Sequence, residues 1–401
     1  MKTGISLAEA AALVVQDLSP LGAETLPLQQ GLGRPLAQAL SAAQDQPPFD
    51  RSPLDGYALR AADIAGASAE QPVPLRVVDT LYAGDVARVP VGPGEAVRIM
   101  TGAMLPPGCD CVLRQEDTDQ GHPVVAIRSS LRPHDNYCFR GEDYAAGTCL
   151  LPAGTPLDAA AIGLLASAGF AQVPIYRRPS VCVLSTGDEV VAPGTHPLPP
   201  GKIFASNGDL LLARLAELGI TRTDYKLLPD DPQAVADAMA QGAAEYDLVL
   251  TTGGVSVGAK DIFHQALPLL GAEQVFWKVM VKPGTPVMFS RHHGKPILSL
   301  SGNPFAAAVN FELLARPILA ALSGDDRLLP SPCTAVLDSP FPKGGKMRRF
   351  LRGRYADGHI TLPQGHSAGQ MASLVGCNCL VDIPGGSGPL SPGIQVDALL
   401  L

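Results

Sequence analysis

The run from Asp247 to Gly258, DLVLTTGGVSVG, is the sequence feature that most limits how this chain can fold. A short apolar strand leads directly into a glycine loop, and Asp261 follows where a helix is expected to begin. Glycines let backbone N–H groups approach a phosphate closely, and a helix N-terminus adds partial positive charge. The run therefore predicts an anion-binding loop between a buried strand and a helix.

The same alternation of strands and helices extends over residues 179–323. Such a series predicts a doubly wound, largely parallel sheet in an α/β domain. Asn207 is the expected N-cap of one helix, and Asp231 with Pro232 begins another. The remaining predicted elements are strands at 180–184, 246–251 and 295–300, a helix at 261–270 and a helix that starts at Asn303 and Pro304.

The sequence on either side of this region has a different pattern. Residues 6–18 and 156–171 predict short helices, which we expect to pack together, whereas 26–144 and 328–401 predict short strands and turns. The fold class is therefore multidomain α/β plus β. The predicted domains are a discontinuous helical linker domain at 1–25 and 145–177, a β-rich inserted domain at 26–144, the α/β domain at 178–326 and a C-terminal β-barrel-like domain at 327–401.

Composition excludes several classes of protein. A chain of 401 residues with 46% hydrophobic residues is long and apolar enough for several cores, and its net charge of −8 argues against nonspecific binding to nucleic acid or an anionic membrane. No apolar run reaches the ~18 residues of a membrane span, and residues 1–13 do not resemble a secretory signal. The eight cysteines form no C-x-x-C pair and are expected to be reduced, which favours a cytoplasmic protein.

Three strand ends in the α/β region carry polar or glycine-containing loops, at 185–189, 252–256 and 301–304. Ligands of open parallel sheets bind beyond the carboxyl ends of the strands, so we expect these loops to open on one crevice. Carboxylates at the neighbouring turns suit Mg²⁺ beside phosphates, although helix capping is the ordinary alternative, above all for Asp231. These carboxylates are Asp188, Glu189, Asp230, Asp231 and Asp261.

The lysines expected near the crevice are Lys260, Lys278, Lys282 and Lys295, and an arginine cluster of Arg348, Arg349, Arg352 and Arg354 lies in the C-terminal region. Lys278 and Lys282 are four residues apart, which predicts that they share one strand face and either bind an anion or are solvated. Alternation also predicts one face for Arg348, Arg352 and Arg354, where phosphate recognition competes with a solvated strand face.

The β-rich region contains three short polar clusters, LDGYA with Asp55, TGAM with Thr101, and RGED with Asp143. Each is typical of a turn when considered by itself. Their functional importance depends on whether they come near the crevice, which the sequence of one chain does not show.

These motifs, in this order along nearly the whole chain, resemble the molybdopterin molybdenumtransferase family, which includes bacterial MoeA and the E domain of gephyrin. The most specific are LDGYA, TGAM, RGED, STGDE at 185–189, TGGVSVG at 252–258 with Asp261, Lys282-Pro-Gly and Gly302-Asn-Pro. The resemblance implies an Mg²⁺-dependent transferase that takes adenylylated molybdopterin and molybdate, releases AMP and places molybdenum on the dithiolene.

The resemblance also implies a set of site residues. Glu189 and Asp261 are the implied Mg²⁺ ligands. The implied catalytic residues are Asp55, Thr101, Asp143, Glu189, Asp230 and Asp261, and the implied binding residues are Gly253, Gly254, Ser256, Lys278, Lys282, Gly302, Asn303 and Pro304.

The family acts as a homodimer, in which the β-rich region of one subunit faces the crevice of the other. Molybdopterin adenylyltransferase and molybdoenzyme apoproteins are the implied partners, and neither nucleic acid nor a membrane is expected. This chain departs from the family pattern at Ser301, where proline is usual, and at Thr285, where lysine is frequent.

Two other functions fit parts of the sequence. A molybdopterin adenylyltransferase resembles residues 179–323 alone, but the additional domains and the Val255-Ser256-Val257 form of the glycine loop argue against it. A non-catalytic scaffold that binds molybdopterin is the second alternative. The many carboxylates argue against a scaffold, because binding an anionic ligand does not require them.

Overall fold

The computed structural model describes residues 1–255 and 262–401, and these divide into two compact units. Unit 1 contains Met1–Glu24 and Ile175–Leu401, and unit 2 contains Thr25–Pro174. The α-helices are α1 Leu7–Val15, α2 Ala159–Ser167, α3 Asn207–Glu217, α4 Pro232–Glu245, α5 Ile262–Leu270, α6 Pro304–Asn310 and α7 Arg316–Ser323.

The strands are short and numerous in both units. They are β1 Lys2–Ile5, β2 Ala23–Pro27, β3 Leu40–Ser41, β4 Gly56–Leu59, β5 Val73–Leu81, β6 Glu95–Ile99, β7 Cys111–Arg114, β8 Val124–Ile127, β9 Cys149–Leu151, β10 Gln172–Tyr176, β11 Val181–Thr186, β12 Val190–Val191, β13 Ile203–Phe204, β14 Thr223–Leu228, β15 Leu248–Thr252, β16 Glu273–Val279, β17 Val281–Lys282, β18 Met288–His292, β19 Lys295–Leu300, β20 Ser331–Leu337, β21 Arg348–Ala356, β22 His359–Thr361, β23 Cys379–Ile383 and β24 Gln395–Leu400.

The main sheet of unit 1 confirms the predicted doubly wound α/β domain. Its strand order is β1-β16-β18-β19-β15-β11-β14, and every neighbouring pair is parallel except the two made by β18. Helices cover both faces, so its central strands are apolar on both sides. Along β11, Val181 and Val183 pack in one core with residues of α3, whereas Cys182 and Leu184 pack in a second core with residues of α4 and α5.

The helix starts follow local capping chemistry. The Asp231 side chain accepts a hydrogen bond from the N–H of Ala234, and Pro232 occupies the first turn of α4, as predicted. The prediction that Asn207 is an N-cap is wrong by one residue, because Ser206 is at the cap position and Asn207 is the first residue of α3. This difference leaves the Asn207 side chain free for a role described below.

The N-terminal segment belongs to unit 1. Strand β1, which the sequence analysis did not predict, adds a parallel edge to the main sheet beside β16. Helix α1, capped by Ser6, packs against α7 and β16. Helix α2, which the sequence grouped with this segment in a helical domain of 1–25 and 145–177, lies in unit 2.

The C-terminal part of unit 1 is a closed β-barrel, which confirms the predicted barrel-like domain. Strands β21, β22, β20, β24 and β23 pair in that order, and pairing of β23 with β21 closes the ring. Along β21, Leu351 faces the barrel core, whereas Phe350 joins the core of the α/β domain. The alternative that Arg352 lies on a solvated strand face is wrong, because its side chain is fully buried on the same face of β21 as Phe350.

Unit 2 is β-rich, as predicted. Its largest sheet within the described residues has the order β7-β4-β6-β5-β8, in which only β5 and β6 are parallel. Tyr57, Leu59, Leu75 and Val125 form part of the core on one face of this sheet.

One apolar stretch, Pro304–Ser323, is long enough to cross a membrane by length and composition. It comprises α6, the π-helical turn Phe311–Ala315 and α7. Its most apolar window is 83% buried inside the protein, as in the core helix of a soluble protein.

Candidate active site

The three strand-end loops meet at one crevice in unit 1, as the sequence predicts. A cavity of about 90 Å³ lies at the carboxyl ends of β11 and β15 and beside the turn that begins α6. Its wall includes the short strands β12 and β13. The lining residues are Ser185, Thr186, Glu189, Val190, Ile203, Phe204, Ala205, Ser206, Asn207, Thr252, Gly253, Gly302 and Pro304.

Glycine is required where two of these loops touch. Gly253 has a φ of +102°, and a Cβ at this position would lie 2.3 Å from the backbone oxygen of Thr186. A Cβ on Gly302 would lie 3.4 Å from the Cα of Gly253. The 3.4 Å distance at Gly302 is an ordinary contact, so Gly253 is the glycine that lets the loops after β11 and β15 approach each other, a packing role in addition to any contact with a ligand.

Asn207 holds the loops together, a role that the sequence analysis missed. Its Nδ2 donates to Thr252 Oγ1 and to the carbonyl oxygen of Gly302, both at 2.8 Å. The Thr252 hydroxyl in turn donates to the Ser301 carbonyl oxygen at 3.2 Å. The sequence signal was present, since Asn207 follows a polar loop at a helix start, but the same signal is typical of a cap.

The predicted carboxylates occupy different positions around the crevice. The Glu189 side chain is exposed at the crevice wall and bends over Gly187. Asp188 and Asp230 lie outside the lining and bind each other reciprocally, each backbone N–H donating to the other carboxylate at 3.2 and 3.3 Å. These bonds fasten the loop after β11 to the loop after β14.

The predicted Asp261 and Ser256 lie outside the described residues. Among residues 1–255 and 262–401, no three His, Cys, Asp or Glu side chains converge as a metal-binding group. Mg²⁺ commonly binds through one or two carboxylates and completes its shell with waters and phosphates. The exposed carboxylate of Glu189 fits that chemistry.

The predicted shared strand face for Lys278 and Lys282 is wrong. The strand is interrupted at Met280, between β16 and β17. Lys278 therefore belongs to the main sheet, whereas Lys282, in β17, pairs with the barrel strand β21. Lys278 has a positive φ of 66°, and its ammonium group lies 3.8 Å from the centre of the Trp277 ring. Trp277 also donates its indole N–H to the Val255 carbonyl oxygen at 3.4 Å.

A second and larger cavity, a groove of about 760 Å³, separates the α/β domain from the barrel within unit 1. The turn at 301–304 borders both cavities, because Ser301 and Asn303 face the groove whereas Gly302 and Pro304 face the crevice. The groove lining comprises residues 282–286, Ser301, Asn303, Ala306, 340–343, 349–351 and 365–368.

The charge of the groove is positive. Lys282, Lys343 and Arg349 line it, and its lining within the described chain includes no Asp or Glu. Lys282 and Arg349 are register partners on the paired strands β17 and β21. Like charges opposite each other on neighbouring strands are destabilising unless something compensates them, so this register favours a bound anion.

His366 and the buried Arg352 shape the far wall of the groove. Burial, followed by the charges of Arg352 and Lys343, lowers the pKa of His366 and favours the neutral imidazole. The Arg352 guanidinium lies 4.1 Å from the centre of the Phe305 ring and donates to the carbonyl oxygens of Ser367 and Gln370. Arg349 belongs to the arginine cluster for which the sequence allows phosphate recognition, whereas no pattern in the sequence points to Lys343 or His366.

The predicted site residues of unit 2 come from neighbouring backbone segments. Asp55 accepts hydrogen bonds from both the N–H and the hydroxyl of Thr101 at 2.8 Å, and these bonds lower the pKa of Asp55. Residues 51–52 pair with 102–103 on one side and with Cys138 on the other. The Asp143 N–H donates to the Gln46 carbonyl oxygen, so the three clusters gather around the 46–55 segment.

Comparison with family models covers most of the chain. Residues 5–169 match the MoeA N-terminal region (domain I and II). Residues 182–321 match a probable molybdopterin binding domain, and residues 334–401 match the MoeA C-terminal region (domain IV).

Relatives with similar length share this organisation. A molybdopterin molybdenumtransferase of Staphylococcus aureus strain MRSA252 is 34% identical over 99% of this chain and 95% of its own length. One of Staphylococcus epidermidis strain ATCC 35984 is 32% identical over 100% and 96%. The crystal structure of a molybdopterin biosynthesis MoeA protein from Pyrococcus horikoshii superposes with a TM-score of 0.87 at 29% identity, covering 99% of both chains.

Proposed function

The chain belongs to the molybdopterin molybdenumtransferase family, and from this premise we propose that it inserts molybdate into adenylylated molybdopterin with Mg²⁺ and release of AMP. Its class as a transferase of molybdenum cofactor biosynthesis follows from the full-length relatives. The adenylylated substrate, the metal and the site residues belong to the proposal. The observation that carries it is the pair of cavities on either side of the turn at 301–304.

The groove supplies what a compact oxyanion requires. Lys282 and Arg349 are adjacent in register, and Lys343 lines the same groove. A chain with a net charge of −8 must provide positive charge locally in order to bind molybdate or a phosphate. These three side chains hold the oxyanion in the proposal and keep it beside the turn at 301–304.

The crevice supplies carboxylates and a fixed backbone. Glu189 at the crevice wall and Asp261 after the glycine loop are the proposed Mg²⁺ ligands, and Asp230 orients the loop after β14. When bound, Mg²⁺ supplies charge neutralisation at the phosphoanhydride that is cleaved. Gly253 and Gly254 allow the loop after β15 to pack closely against its neighbours at the crevice, and Asn303 and Pro304 start α6. In the proposal, Gly253, Gly254, Gly302, Asn303 and Pro304 contact the ligand.

The reaction itself gives the test of this function. The wild-type protein is expected to release AMP from adenylylated molybdopterin only when both molybdate and Mg²⁺ are present, because the oxyanion and the metal act in one transfer step. Chromatographic quantification of AMP, with and without molybdate and with EDTA followed by added Mg²⁺, measures this dependence. AMP release that ignores molybdate contradicts the transfer, and no release under any condition favours the scaffold.

We further propose a homodimer whose active sites are completed by both subunits, with Asp55, Thr101 and Asp143 facing the partner's crevice. Co-expression of Asp55→Ala and Asp261→Asn chains is expected to restore activity to about a quarter of wild type. Half of the randomly paired dimers are mixed, and one of the two sites in each mixed dimer is then free of both substitutions.

Two differently tagged chains allow the mixed dimer to be purified before the assay. Each parent dimer provides the inactive control. If purified mixed dimers are as inactive as both parents, the shared site is wrong.

The proposed location is the cytoplasm, with molybdopterin adenylyltransferase and molybdoenzyme apoproteins as proposed partners.

A further inference from the structure

The groove offers one side chain that can exchange a proton near neutral pH. The titratable residues among its described lining are Lys282, Lys343, Arg349 and His366. Lysine and arginine keep their protons at neutral pH, because their ordinary pKa values are about 10.4 and above about 12. An imidazole has an ordinary pKa of about 6.5. Within the described lining, His366 is therefore the group that can both give and take a proton.

The segment that carries His366 is held in place by its neighbours. The buried Arg352 donates to the carbonyl oxygens of Ser367 and Gln370 at 2.7 and 2.8 Å, and the Ser367 N–H donates to Gln370 Oε1 at 2.9 Å. The His366 ring packs edge-on against Phe341, with ring centres 5.5 Å apart. The imidazole is thus positioned on the groove wall before a ligand enters.

The protonation of His366 is coupled to the charge in the groove. Its Nδ1 is buried and has no hydrogen-bond partner among the described residues. Burial and the charges of Arg352 and Lys343 lower the pKa of His366, and the described lining adds Lys282 and Arg349 but no Asp or Glu. A bound dianion opposes these positive charges and raises the pKa of the imidazole. Binding of an oxyanion therefore favours a proton on His366.

The proposed transfer requires that protons move from sulfur to oxygen. Molybdate and a dithiol give a trioxo dithiolene dianion and one water. Two S–H bonds and one Mo–O bond break, while two Mo–S bonds form and the two thiol protons leave on the departing oxygen. Molybdenum remains Mo(VI), so the step needs no oxidant or reductant. Because an oxide leaves poorly without protons, a side chain that delivers them accelerates the step.

We propose that His366 is the proton carrier of this transfer, giving a proton to the molybdate oxygen that departs as water and recovering one from the dithiol. Two such cycles move both thiol protons and return His366 to its starting state. This assignment rests on the proposed function and adds a catalytic residue to the groove that binds the oxyanion.

Proton uptake during molybdate binding tests the role of His366 without any turnover. Titration calorimetry with sodium molybdate at about pH 7, in buffers of different ionisation enthalpy, measures the uptake. We expect about 0.3 to 0.8 proton per molybdate for wild type and less than about 0.1 for His366→Gln. The affinity for molybdate should stay within about threefold, because glutamine keeps a polar side chain and the three cations remain. Retained affinity also shows that the groove of the variant is intact.

The rate of molybdenum transfer tests the role in catalysis. At saturating molybdate, His366→Gln is expected to lower this rate about 10²-fold, the ordinary contribution of general acid–base catalysis. The wild-type rate should fall as pH rises through the pKa of His366 in the complex, because the carrier must hold a proton, and the variant should lack this fall. Chromatography of the pterin product with mass spectrometry of molybdenum measures the transfer.

His359→Gln is the matched control. His359 is an exposed histidine of the barrel whose Nδ1 lies 3.0 Å from Asp338 Oδ1, and it does not line the groove. Its substitution is expected to leave proton uptake, molybdate affinity and the transfer rate like those of wild type.

Three outcomes overturn the assignment. They are wild-type proton uptake in His366→Gln, a wild-type rate and pH profile in that variant, and a loss of molybdate affinity of about tenfold or more, which makes His366 an anion contact. Failure of the proposed function is distinguishable, since it appears in the wild-type protein as absence of molybdate-dependent AMP release, whereas proton uptake is measured with molybdate alone.

Discussion

Replacing Asp247 with alanine is expected to destabilise unit 1 by about 3 kcal/mol or more, because it removes the shared partner of two cations from a largely buried site. Asp247 is only 5% exposed. It receives two hydrogen bonds of 2.9 Å from Arg177, two of 2.9 Å from the N–H and hydroxyl of Ser180, and one of 3.2 Å from Lys295. The carboxylate thereby anchors the start of β15 to the segments that enter β11 and β19.

The effect of this variant is expected to depend on pH. Burial acts to raise the pKa of Asp247, but the hydrogen bonds from Arg177 and Ser180 and the charge of Arg177 outweigh it and hold the pKa well below its usual range. A carboxyl with a lowered folded-state pKa contributes stability above its unfolded pKa, about 3.9, and loses that contribution as pH falls further. The difference between wild type and Asp247→Ala should therefore be constant from about pH 7 to 5 and shrink below about pH 4.

Urea unfolding followed by the fluorescence of Trp277 measures this prediction, because Trp277 is the only tryptophan and lies in β16 of unit 1. Asp224→Ala is the control in the same sheet. The Asp224 and Lys226 side chains are 40% and 37% exposed and 4.0 Å apart, so the loss should stay below about 1 kcal/mol. Equal losses for the two variants would show that the buried network contributes no more stability than a partly exposed ion pair, which contradicts the prediction.

Replacing Asp261 with asparagine is expected to lower AMP release by about 10²-fold or more while leaving the fold intact. The substitution keeps the shape of the side chain and removes the negative charge proposed to bind Mg²⁺ with Glu189. Since a weaker metal site can be filled by excess metal, part of the lost rate should return at high Mg²⁺. Initial rates of AMP release over a series of Mg²⁺ concentrations measure both effects.

Asp231→Asn is the matched control for this variant, because it changes a second aspartate beside a helix start. Asp231 caps α4 through the N–H of Ala234 at 2.7 Å. Asparagine is also a good N-cap, so both stability and AMP release should stay close to wild type. Turnover at the wild-type rate in Asp261→Asn would remove Asp261 from the metal site.

Much of the fold could be predicted because it depends on local patterns. Apolar strands, capped helices and glycine loops alternate over 179–323. Because the crossover connections between parallel strands are right-handed, few other arrangements of these elements are possible. The loops at 185–189, 252–255 and 301–304 therefore converge as expected, since the carboxyl ends of parallel strands share one edge of the sheet.

The errors occurred where long-range packing outweighs local periodicity. Lys278 and Lys282 have strand spacing, but the chain passes from the main sheet to the barrel between them. Alternation along the strand puts Arg352 on the same face as Arg348 and Arg354, where solvation is the ordinary expectation. The α/β domain nevertheless covers β21 at Phe350 and Arg352. Residues 1–5 are too few to predict a strand, and they form one because the edge of β16 is available to pair with them.

The sequence by itself determined the family, the succession of α/β and β regions and the three loops that meet at the crevice. Short-range preferences and motif order encode these features, so they are readable without coordinates. Only the tertiary structure decided that Lys282 lies beside Arg349, that Asn207 links two loops and that the crevice and the groove share one turn. Each of these contacts joins residues far apart in the chain, and no local pattern specifies which distant partner a side chain meets.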